Sequence, residues 1–123
     1  MDVKELELKI DDAMSRISYI EKRLHKNKNM LEEYLQTRTE MFENIQNEAR
    51  QIKESIPDFD EEIYKKYKAY YDKEIEIFSS MKIIDKKIAV IKKDSENCIG
   101  EIDFLKDSIR AWEEDITLLQ SEK

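Results

Sequence analysis

Few side chains in this 123-residue sequence could do chemistry, and they are scattered. It holds one histidine and one cysteine. His25 follows Glu21 by four residues, which places the two on one face of a helix. A metal asks for three or four ligands, so this pair does not make a site. Cys98 has no second cysteine to join, which removes an internal disulfide and favours a reducing compartment. It falls on an apolar spacing, where a free thiol packs as a small hydrophobe. Arg38, Glu48 and Glu74 stand where that same spacing asks for apolar residues, and could form a buried ionic cluster. With a single glycine there is no glycine-rich loop to cradle phosphate. No nucleophile has a base near it in the pattern. The sequence reads as a non-enzyme that takes no cofactor and no metal.

The elements that position these residues are written in the hydrophobic spacing. From Val3 through Leu6, Ile10, Ala13, Ile17, Ile20 and Leu24 to Ile52, apolar residues return at steps of three and four. A second run goes from Ile63 through Tyr67, Tyr70, Ile77, Met81, Ile84 and Ile88 to Leu119. This is the a/d seam of a coiled coil. Charged residues make up 41% of the chain, a load that suits a coiled coil or a disordered segment. The sustained period decides for the coiled coil. One domain is expected at this length. No apolar run approaches the ~20 residues of a membrane span, and the first residues do not form a signal peptide. The chain is expected to be cytosolic and not inserted in a membrane.

The spacing predicts one helix over residues 2–54 and another over 61–121, with a turn at 55–60. Asp2 can cap the first helix. Pro57 ends it, because a proline lacks the backbone donor and restrains Ile56 before it. Asp58 can cap the second helix, whose first turn is acidic. A short break between two long amphipathic helices gives an all-α antiparallel coiled-coil hairpin. The expected pairing sets Ile52 opposite Ile63, Ile45 opposite Tyr70, Leu31 opposite Ile84, Leu24 opposite Ile91 and Val3 opposite Trp112. One flank then joins Glu7 to Lys106, Glu21 to Lys92 and Lys28 to Asp85. The other joins Arg16 to Glu101 and Arg23 to Asp94. Slipping the helices by one heptad sets like charges together on the first flank, so the charges favour this register.

Polar residues interrupt the seam at Asn27, Arg38, Glu48, Glu74 and Ser95. In the expected register Asn27 faces Ile88, Arg38 lies one layer from Glu74, and Glu48 faces Tyr67. Such residues fix register at some cost in stability, or they form a functional cluster.

Three surface features remain. Leu35, Phe42 and Ala49 on the first helix pair with Phe78, Tyr71 and Tyr64 on the second, an apolar flank near the turn. It either thickens the hairpin or receives a partner or a second copy, with weak self-association. Lys22, Arg23, Lys26 and Lys28 lie level with Lys82, Lys86, Lys87, Lys92 and Lys93. This basic belt is either a solvated face or a dock for an acidic partner. Nucleic acid is not expected, because the net charge is −7. Third, Ile116 and Leu119 lie beyond the partner of Val3, leaving an apolar overhang.

Two stretches carry a family resemblance. Phe59-Asp60-Glu61-Glu62-Ile63-Tyr64-Lys65-Lys66-Tyr67 is an aromatic-spaced opening to the second helix, and Ile109-Arg110-Ala111-Trp112 places a tryptophan late in it. With these, the hairpin resembles the FliJ/YscO family, the stalk proteins of flagellar and virulence type III secretion systems. The resemblance implies a bacterial cytoplasmic protein whose paired terminal ends enter a hexameric secretion ATPase and stimulate its assembly and activity. The turn-side half would reach an export-gate component. Val3, Leu6, Trp112, Ile116 and Leu119 are the residues it places at the ATPase. The competing readings are a secretion or prefoldin-like chaperone that binds clients along the aromatic flank, and a self-associating adaptor.

Overall fold

The structure is a computed structural model that describes residues 1–55 and 60–122. Helix α1 runs Val3–Ser55 and helix α2 runs Glu61–Ser121. The two pack against each other as an all-α helical hairpin, with no strand among the described residues.

Both helix starts are built by an aspartate. Asp2 accepts a hydrogen bond from the Glu5 backbone N–H at 2.8 Å, satisfying one donor that the first turn leaves unpaired. At α2 the cap is Asp60, whose Oδ1 accepts from the Ile63 N–H at 2.9 Å. The sequence pointed to Asp58, which lies outside the described residues together with Ile56, Pro57 and Phe59. Glu61 and Glu62 follow Asp60 into the first turn, where their charge opposes the positive end of the helix dipole. At the end of α1 the Ser55 hydroxyl donates back to the Gln51 carbonyl.

The chain divides into two compact units: Met1–Asn29 with Ile91–Lys123, and Met30–Val90. In the first, Ile20 is 1% exposed and packs with Cys98 and Ile102, flanked by Ile17, Leu24 and Leu105. Leu6 and Ala13 are also buried. In the second, Ile45, Met81, Ile84 and Ile88 are buried. All are seam positions, so the heptad spacing chose the buried face.

The pairing across the seam is not the expected one. In the first unit Asn27 meets Asp94 and Ser95 rather than Ile88. Trp112 lies beneath Lys9 rather than against Val3. In the second unit Arg38 meets Asp85 rather than Glu74, and Glu48 meets Lys73 rather than Tyr67. Each shift has the same sign, and those of Asn27, Trp112 and Glu48 are about one heptad. In the unit of residues 1–29 and 91–123 the first charged flank disfavours the observed register, while the Arg16–Glu101 and Arg23–Asp94 pairs of the other flank form as expected.

Asn27 supplies the physical reason. It is 5% exposed, the one buried polar residue among those described. Opposite Ile88 its amide would lose its hydrogen bonds to water and gain none, a cost of about 1–3 kcal/mol. In the observed register it donates to the Asp94 Oδ2 at 2.9 Å and the Ser95 hydroxyl at 3.2 Å. The exposed pairs expected of the other register, Glu7 with Lys106, Glu21 with Lys92 and Lys28 with Asp85, are each worth about 0–1 kcal/mol. None of them forms among the described residues. The one buried amide outweighs them.

Candidate protein-interaction surfaces

In the unit of residues 1–29 and 91–123, a polar network sits at the edge of the seam. Arg23 grips Asp94 with two hydrogen bonds, at 2.9 and 2.6 Å. Asp94 also accepts from Asn27 and from the Cys98 thiol at 3.9 Å. The Asn27 amide and the Arg23 guanidinium hold the Asp94 carboxyl below the usual range. Burial, then the Asp94 charge, pushes the Cys98 thiol up, so the thiolate is disfavoured. Two turns away Arg16 bonds Glu101 at 2.8 and 3.4 Å, and its guanidinium lies 5.3 Å from the Tyr19 ring. The pairs Arg16–Glu101 and Arg23–Asp94 were expected on this flank.

At the terminal end of the same unit, Met1, Leu6, Trp112, Asp115, Leu118 and Leu119 line a shallow groove. The expected overhang of Ile116 and Leu119 is absent. The heptad shift carries them back along α1, so Leu119 shares the groove with Met1 and Leu6, and both Ile116 and Leu119 are half-buried. Val3 is half-buried as well. What this end exposes is Met1 at 65% and Leu118 at 62%.

In the unit of residues 30–90 the ionic cluster of the seam is broken up. Arg38 reaches the Asp85 Oδ1 at 2.8 Å and Lys73 reaches the Glu48 Oε1 at 2.5 Å. Glu74 is half-buried beside Tyr70, whose hydroxyl is pushed up by burial and by the Glu74 charge. These contacts fix the pairing and converge on no common point.

The apolar flank of this unit is present and open. Leu35, Phe42, Tyr64, Tyr71 and Phe78 are 42–53% exposed. Its pairing follows the shifted register: Phe42 and Phe78 line one groove with Arg38, Met81, Lys82 and Asp85. The expected partners were Tyr71 for Phe42 and Leu35 for Phe78. Ala49 is half-buried.

The basic residues are divided between the units. Lys82, Lys86 and Lys87 belong to residues 30–90. Lys22, Arg23, Lys26, Lys28, Lys92 and Lys93 belong to the other unit. All are exposed, but Arg23 is committed to Asp94, and the Lys87 ammonium sits 5.7 Å from the Tyr34 ring. His25 and Glu21 are exposed. Among the described residues no three His, Cys, Asp or Glu side chains are grouped to hold a metal. No described helix is long and apolar enough to cross a membrane.

The structure adds a partnership that the seam pattern did not show: Asp94 and Ser95 receive the buried Asn27 amide. Ile83, Val90, Phe104 and Leu118 are exposed large apolar residues off the seam, and their signal in the sequence is a spacing of seven or its multiples. Compared with known proteins, the chain matches no family model, no curated protein and no solved structure.

Proposed function

We propose that this chain is a non-catalytic binding protein, and that its specific role is the stalk of a bacterial type III secretion ATPase. The observation that carries the binding role is the open apolar flank of residues 30–90. Large side chains with nearly half their surface in water are held on a helical scaffold whose seam buries Ile45, Met81, Ile84 and Ile88. The terminal end offers a second contact, with Met1 and Leu118 exposed around Leu6, Trp112 and Leu119. The stalk role rests on the resemblance carried by residues 59–67 and 109–112. In it the terminal end enters the ATPase ring, the turn-side flank faces an export-gate component, and the protein works at the cytoplasmic face of the secretion apparatus. Because the apolar overhang is absent, the exposed rim of the terminal groove takes its place as the contact with the ATPase.

Mixing the purified chain with a hexameric secretion ATPase tests this reading. A stable complex and faster hydrolysis are expected, with both reduced in Trp112→Ala while helicity is kept. No complex and no stimulation overturn the stalk role. A chaperone reading is favoured by the same flank, and it predicts instead that Phe42→Ser with Phe78→Ser removes the binding of unfolded clients.

A further inference from the structure

In the unit of residues 1–29 and 91–123 the observed register leaves the first charged flank unsettled. Asn27 meets Ser95, and Ile20 packs with Cys98 and Ile102. That alignment sets Lys28 level with Lys92, and Glu7 level with Glu113. Like charges therefore face each other at both places, which is unfavourable. All four side chains are exposed, and none has an ion pair among the described residues. Between them Met14 and Ile99 stand 57% and 52% exposed. The other flank differs, because there Arg16 pairs with Glu101 and Arg23 with Asp94 inside the chain.

The spacing of the unsettled charges is the same on both helices. Glu7 to Lys28 is three heptads along α1, and Lys92 to Glu113 is three heptads along α2. One end of the flank is doubly acidic and the other doubly basic.

We propose that this flank is a self-association surface, on which a second copy of the chain docks in the opposite sense about a two-fold axis perpendicular to the helices. Helix α1 then lies along α1 of the copy, and α2 along α2. Glu7 of each copy meets Lys28 of the other, and Lys92 meets Glu113. Two-fold symmetry makes each contact twice. Equal spacing lets one axis serve both helices. The next row outward agrees, bringing Asp11 to His25 and Glu96 to Arg110 of the copy. Met14 of one copy comes level with Ile99 of the other, an apolar centre between the charged ends. Docking with the same ends together would lay α1 on α2, setting Glu7 on Glu113 and Lys28 on Lys92, so the charges reject that sense. A second copy supplies both complementary ends at the required separation. Every residue involved lies in one unit, the surface is distinct from the flank that carries Phe42 and Phe78, and the pairing does not rest on the stalk role.

Sedimentation velocity of the full chain over a concentration series tests the proposal. A reversible dimer is expected at low salt, weakened at least tenfold at high salt, because its contacts are exposed ion pairs. Lys28→Glu and Glu7→Lys are each expected to weaken self-association at least tenfold, since each sets like charges together twice. An equimolar mixture of the two variants is expected to regain the native affinity within about threefold, because both contacts between them are again Glu with Lys. Within the chain each replacement faces an opposite charge, at Lys92 or at Glu113, so the thermal midpoint of the dilute variants should hold or rise. Asp103 is exposed near the axis and faces its own copy, so Asp103→Asn is expected to strengthen the dimer. A monomer at every concentration overturns the proposal. So does a dimer indifferent to both charge reversals, or a mixture no tighter than either variant by itself. A dimer lost in Phe42→Ser instead would overturn it too, placing self-association on the flank of residues 30–90.

Discussion

Replacing Asn27 separates its two roles, stability and register. The side chain is 5% exposed and makes two hydrogen bonds, to the Asp94 carboxylate at 2.9 Å and the Ser95 hydroxyl at 3.2 Å. Asn27→Ala removes both and leaves a small void. Asp94 keeps Arg23 and a side chain that is 29% exposed, so little of its charge is stranded. The expected loss is therefore about 2 kcal/mol, the net worth of one or two hydrogen bonds. For a chain of this length that lowers the thermal midpoint by about 6–10 °C. Asn27→Leu is expected to behave differently. The apolar side chain is content opposite either Ser95 or Ile88, so stability falls little while the register loses what selects it. Cysteine pairs read the register in a Cys98→Ser background. The observed pairing brings position 21 toward 99, and the slipped one brings it toward 92. The native chain should cross-link through 21 and 99 alone, and Asn27→Leu should cross-link through both pairs. If Asn27→Leu keeps the single cross-link, the buried amide does not set the register and the seam layers alone do.

Two further perturbations test the same network. The Asn27 amide and the Arg23 guanidinium lower the Asp94 carboxyl in the folded chain, so its contribution is present above the unfolded carboxylate value near 4 and is lost as pH falls through the lower folded value. The acid unfolding limb of the native chain should be steeper than that of Asp94→Asn in that window, and superimposable limbs would exclude the linkage. Cys98 is raised mainly by burial, so its unfolded form ionises first and stability should fall as pH rises above about 8.5. Alkylation of the folded thiol at pH 8 should be at least about 100-fold slower than in denaturant, following the small open fraction of a stable domain, and equal rates would show that Cys98 is not buried.

The elements were legible because each rests on local chemistry. Seam positions such as Leu6, Ala13, Ile20, Ile45, Met81, Ile84, Ile88, Ile91, Cys98 and Ile102 are buried where the three-four spacing put them, since a helix that buries one stripe must repeat it at that period, whereas Tyr67 on the same spacing is 47% exposed. The aspartate cap at Asp2 and the end of the first helix before Pro57 follow from backbone donors and the missing proline N–H. The cap of the second helix was read two residues early, because Asp58 and Asp60 both offer a carboxylate with acidic residues behind it.

The register was not legible, and with it went the details of the candidate surfaces. A heptad pattern is unchanged by a slip of seven residues, so the spacing that made both helices certain carried no information on their alignment. Flanking charges offered a choice, but each is solvated and weak. The decision fell to Asn27, whose partners Asp94 and Ser95 are named only by the packed structure, because the cost of an unpaired amide exists only once water has been removed. In the unit of Asn27 the shifted pairing closed the overhang of Ile116 and Leu119, and in the unit of residues 30–90 Phe42 lies beside Phe78 and Arg38 beside Asp85. By itself the sequence determined two capped amphipathic helices and the faces they bury. The tertiary structure decided which residue meets which, because that depends on what each buried polar group finds when it leaves water.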